Sequence, residues 1–113
     1  MATLRLDSVN GSPVVEYRTL GNQPVPYTVT VQRRALTADG GEYRDGSEWH
    51  TVTLGDVASQ MRLGGPVGAW LAKQGVTMAS VVRAVGPGFS SEPAYVDIYE
   101  EVQARVARGE SFP

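Results

Sequence analysis

Residues 46–54, GSEWHTVTL, set a Gly-Ser turn ahead of a Trp-His pair and then alternate Thr51 and Thr53 with Val52 and Leu54. Alternation by twos marks a strand with one buried face. It sends Trp49 and the threonines to one side and His50, Val52 and Leu54 to the other. The two aliphatic side chains make the His50 side the inner one, so Trp49 faces a groove or a neighbouring strand. Taken alone, Trp49 reads equally as a packed residue and as a ring offered to a ligand.

The flanking segments extend this pattern. Upstream, TADGGEYRDGS (37–47) holds two turn signals, Asp39-Gly40-Gly41 and Asp45-Gly46, and reads as a hairpin loop with a short arm at Glu42 to Arg44. The strand that enters it, PYTVTVQRRAL (26–36), puts Tyr27, Val29 and Val31 on one face and Thr28, Thr30 and Gln32 on the other, which predicts an antiparallel sheet with one solvated side. TLRLDSV (3–9) running to Asn10-Gly11, and PVVEYRTL (13–20) running to Gly21-Asn22, read as two earlier strands.

Downstream, PVGAWLAK (66–73) has Pro at a first helical position and Val67, Trp70 and Leu71 at helical spacing, so it predicts one short helix ending before Gly75. VTMASVVRAV (76–85) is apolar and β-branched and reads as a buried strand, with a loop from Gly86-Pro87-Gly88 through Glu92. In AYVDIYEEVQARVAR (94–108) a strand over Ala94 to Tyr99 gives way to a helix, because Tyr95, Ile98, Tyr99, Val102 and Val106 also share a helical face. The expected fold is mostly β: a five-stranded OB-fold barrel over residues 1–108, with one short helix between the third and fourth strands, a C-terminal helix, and a short loose tail at 109–113.

Composition bounds the function. The chain has 113 residues, enough for one domain, and 42% of them are hydrophobic. With no cysteine and a single histidine, there is no disulfide frame, thiolate metal site or ligand spacing for a metal. No Ser, Asp or Glu stands beside His50 in a nucleophile pattern, and GGPVG and GPG lack the phosphate-cradling motif, so neither an enzyme nor a cofactor is expected. No signal-like start or membrane-length apolar run occurs, so a cytoplasmic location without membrane attachment is expected. Ten basic residues face twelve acidic ones, a net charge of -2, so a site for a polyanion must be local. Nine of the ten are arginines, Lys73 being the one lysine. Arg stacks on flat rings and forks onto phosphates. Arg33 and Arg34 end one strand, Arg44 lies in the hairpin loop and Trp49-His50 opens the returning strand. That gathers cations and rings as single-stranded nucleic acid rewards.

The chain also resembles the bacterial single-stranded DNA-binding proteins of the OB-fold type. NGSPVVEYRTLGNQPVPYTVTVQRR is similar to the opening of that family. DGGEYRDGSEWHTVTL is similar to its Gly-Glu loop and Glu-Trp-His-x-Val-x-Leu strand, and VGAWLAKQGVTMASVVRA to its helix and following strand. The likeness implies a homodimer or homotetramer that binds single-stranded DNA in replication, recombination or repair, with Trp49 stacking on a base.

Other positions depart from the family. Leu36 and Gly55 stand where it carries further aromatics, and Phe89 near Pro87 substitutes for another. GESFP lacks the acidic tip through which family members recruit partners. These departures point to a phage, plasmid or mobile-element relative, or a primosome-type one. The expected ligand residues are Trp49, Tyr43 and Phe89 for stacking and Arg33, Arg34, Arg44, Lys73 and Arg83 for phosphate. The first strand with Tyr95, Ile98 and Val102 is a candidate interface between copies. A rival reading is an OB-like interaction module, an accessory or inhibitory factor of a mobile element, that has lost nucleic-acid binding.

Overall fold

The computed structural model describes residues 2–21, 27–86 and 90–110. Its elements run β1 (Ala2–Leu6), β2 (Val14–Gly21), β3 (Thr28–Leu36), β4 (His50–Thr51), α1 (Leu54–Leu63), α2 (Pro66–Lys73), α3 (Met78–Val85), β5 (Tyr95–Asp97) and α4 (Tyr99–Ala107). Strands β1, β2 and β3 form an antiparallel meander, as the alternation at Val29 and Val31 anticipates. Both β4 and β5 lie antiparallel against β3, β4 opposite Gln32 and Arg33 and β5 opposite Thr28, Val29 and Thr30.

The last lane of the sheet is therefore one strand interrupted in the middle. Val52 carries β4 onward by donating its N–H to Val31 O at 3.0 Å, and Ala94 donates to Val52 O at 2.9 Å where the chain comes back. Thr53 and Pro93 bridge at the junction. Residues 54–92, with three helices, are inserted between the halves. Because β4 and β5 meet β3 in one continuous register, the in-and-out alternation survives the insertion: His50, Val52 and Val96 share one face, and Thr51, Tyr95 and Asp97 the other.

The four helices of the described residues pack on the first of these faces. Tyr17, Val29, Val31, Val52 and Val96 from the sheet join Val57 of α1, Val67 and Leu71 of α2, Val81 of α3 and Val102 of α4 in one buried cluster. Fully burying one such aliphatic side chain contributes about 1.5–3 kcal/mol. Helices α1 and α2 approach closely where Gly68 faces the backbone of Gln60.

The OB-fold barrel expected from the sequence is not formed. Among the described residues the sheet is open: β1 pairs with β2 alone, so no strand there closes it. Two segments account for the difference. The strand read over 48–54 keeps only His50–Thr51. Thr53 then caps α1 by accepting the Asp56 N–H at 3.1 Å, and Leu54, Val57 and Ala58 are buried at helical spacing. The buried strand read over 76–85 is α3, begun by a capping box in which Thr77 and Ser80 satisfy each other's backbone N–H groups. Those paired caps outweigh the weak strand preference of its valines. The helix read over 66–73 stands at Pro66–Lys73, and a strand does pass into a helix between Asp97 and Tyr99. Among the described residues no helix is long and apolar enough to cross a membrane.

Candidate nucleic-acid interface

The register fixes what the other face of the sheet presents. Arg5, Glu16 and Arg34 lie side by side across β1, β2 and β3, and Trp49, one residue before β4, stands at the end of that row. Thr3, Arg18, Gln32 and Thr51 form the next row, and Leu20, Thr30 and Tyr95 the one after. Apart from buried Thr30, these residues are half-buried or exposed.

Trp49 is half-buried, and its ring lies among guanidinium groups: Arg18 Cζ is 4.2 Å and Arg34 Cζ 4.7 Å from the ring centroid. Each such contact is worth roughly 0.5–1 kcal/mol at an exposed site and about 2 when desolvated. Hydrogen bonds hold both cations. Arg18 Nε donates to Gln32 Oε1 at 2.7 Å, and Gln32 Nε2 donates to Thr51 Oγ1 at 3.2 Å. Arg34 pairs with Glu16 at 2.8 Å and with Glu42 at 3.2 Å. Among the described residues Arg5 and Arg18 form no ion pair. In the two rows around Trp49, then, three guanidinium groups face one carboxylate, with Glu42 at the margin.

The other expected ligand residues are dispersed. Consecutive residues of a strand point to opposite faces, so Arg33 lies on the helix side, opposite His50 and Tyr17. There it lines a groove of about 520 Å³ with His50, Asp56 and Gln60. Tyr43 and Arg44 are exposed in the loop between β3 and β4. Ser47 Oγ braces that loop, accepting the Tyr43 N–H at 2.7 Å and donating to Ala35 O at 2.9 Å. Within the same loop Thr37 bonds the Asp39 carboxylate, which, with the Gly41 N–H, holds that carboxyl below its ordinary range. Lys73 is exposed in the last turn of α2. Arg83, in the last turn of α3, pairs with Glu100 at 2.7 Å. Phe89 lies outside the described residues.

Ile98 and Val102, read as candidates for an interface between copies, are 1% and 5% exposed in the core, so only Tyr95 and the β1 edge of that set are accessible. Trp70 is the structural tryptophan, tilted against Tyr17 with ring centroids 6.4 Å apart. Arg5 and Arg18 on the open face are not among the residues the sequence singled out, and Tyr95, also on that face, was read there as an interface residue and not as a ligand residue. The signal for Arg18 was present in VVEYRTL, where Glu16 and Arg18 alternate with Val15, Tyr17 and Thr19. Among the described residues no three His, Cys, Asp or Glu side chains gather as a metal group would need. Compared with family models, with curated proteins and with solved structures, the chain gives no match.

Proposed function

We propose that the chain binds single-stranded DNA with little sequence preference, on the sheet face that the helices leave open. The observation that carries this reading is the half-buried Trp49 ring held among the Arg18 and Arg34 guanidinium groups. A ring offers a stacking surface to any base, and cations beside it meet the phosphates on either side, a combination that is tolerant of sequence. Arg5 and Arg18 supply positive charge and form no ion pair among the described residues, although the chain as a whole carries -2. The resemblance of DGGEYRDGSEWHTVTL to bacterial single-stranded DNA-binding proteins points the same way, toward a role in replication, recombination or repair. The reading rests on this face and not on a barrel. The proposed role is binding without catalysis.

One observation favours a second reading, a protein-interaction module. Arg34 is already matched by Glu16 and Glu42, as befits a structural cation. Anisotropy of labelled oligo(dT), across a salt series and beside a duplex of the same length, separates the two. Single-strand binding that weakens as salt rises and falls on Trp49→Ala supports the proposal. Absence of binding at low salt would favour the interaction module, and sizing of the complex reports its stoichiometry.

A further inference from the structure

We infer that the single-strand track does not end at Trp49 but continues across the break in the last lane to Tyr95, which serves as a second stacking ring; this rests on the single-stranded DNA reading. The two halves of that lane share one register on β3, Trp49 falling beside Arg34 and Tyr95 opposite Thr30. Both side chains leave by the open face, four β3 positions apart. At the rise of an antiparallel strand that is about 13 Å.

The row between them, Thr3, Arg18, Gln32 and Thr51, carries a cation and no carboxylate. Successive rows of this face thus present the Trp49 ring, then Arg18, which reaches from β2 to that ring, then the Tyr95 ring, too far from Trp49 for adjacent bases to meet both. Tyr95 is 54% exposed and has no ring or side-chain hydrogen-bond partner among the described residues, unlike Tyr27 and Tyr99, whose rings pack edge-on at 5.0 Å. Two residues further, Asp97 leaves by the same face and would repel a phosphate, so Tyr95 marks the end of the track.

The experiment compares a thymidine dinucleotide with an oligo(dT) of about 12 nucleotides on the unmodified chain and on Tyr95→Leu, Tyr95→Phe and Trp49→Ala. A lost stacking partner costs about 5- to 150-fold in affinity. Tyr95→Leu is expected to lose that factor for the long strand alone, Tyr95→Phe to retain the affinity, and Trp49→Ala to weaken both ligands. Long-strand binding that depends on Trp49 but is unchanged in Tyr95→Leu would overturn this inference while leaving the single-strand reading intact. Equal losses for the two lengths in Tyr95→Leu would also overturn it. Failure of the unmodified chain to bind either ligand would overturn the reading beneath it as well.

Discussion

The guanidinium carbon of Arg18 stands 4.2 Å from the centre of the Trp49 ring, a contact made across β3, since Arg18 is on β2 and Trp49 precedes β4. It holds the indole over the polar face of the sheet and couples ring and cation in one element. Arg34 makes a similar contact at 4.7 Å but spends its charge on Glu16 and Glu42.

The two arginines should therefore respond differently to the loss of charge. Arg18→Gln is expected to weaken oligo(dT) binding and to reduce the slope of log affinity against log salt by about 0.7, one phosphate's share on a single strand. Arg34→Gln leaves the half-buried Glu16 without its partner, so its main effect is a stability loss of about 1–3 kcal/mol with little change in that slope. Paired denaturation and salt titrations read both.

Gly68 sits where a Cβ would meet the Gln60 carbonyl oxygen at 2.9 Å, closer than backbone permits without movement. Gly68→Ala should force α1 and α2 apart and cost about 1–3 kcal/mol as an overpacked contact. Chemical denaturation measures it. Oligo(dT) affinity should be unchanged at temperatures where the variant is folded, because the contact is on the helix side of the sheet.

The start of α3 depends on one reciprocal pair. Thr77→Ala removes the acceptor of the Ser80 N–H and should cost about 0.5–2 kcal/mol. Thr77→Ser keeps the hydroxyl and should recover most of that loss in the same denaturation assay.

Asp39 gives a pH dependence of known sign. Its folded carboxyl is held below the ordinary aspartate range, first by Thr37 and then by the Gly41 N–H. The unfolded chain therefore takes up a proton before the folded one does. The resulting stability is present above the ordinary aspartate value and is lost as pH falls through the lower folded value. The melting temperature of the unmodified chain should exceed that of Asp39→Asn near neutrality, and the gap should narrow across that acid window.

Where one local pattern decides an element, the sequence was readable. Val29 and Val31 alternating with Thr28, Thr30 and Gln32 announce β3, and Pro66 with Val67 and Leu71 announces α2. Asp97 to Tyr99 marks a change of period that the valine and tyrosine spacing contains. The strand reading of α3 came from its three valines, Val81, Val82 and Val85, whereas its decisive feature is two hydroxyls three residues apart, Thr77 and Ser80. The start of α1 was hidden in the same way: Thr53 continues the strand alternation and also caps the helix.

The split lane rests on Val52 meeting Ala94, a pairing too distant in sequence for any local pattern to reveal. The site was half legible for a related reason. Trp49 and Arg34, both expected from the sequence, do lie together, whereas Arg33 falls on the other face, and Arg18 joins Trp49 because β2 and β4 flank the same strand.

The most direct test of the central claim is the fluorescence of Trp49 itself, read in a Trp70→Phe background so that the second indole is silent. Titration with oligo(dT) at low salt should quench that emission, and raising the salt should restore it as the strand dissociates. Emission that stays constant up to saturating oligo(dT), in a chain shown to be folded, would contradict the account.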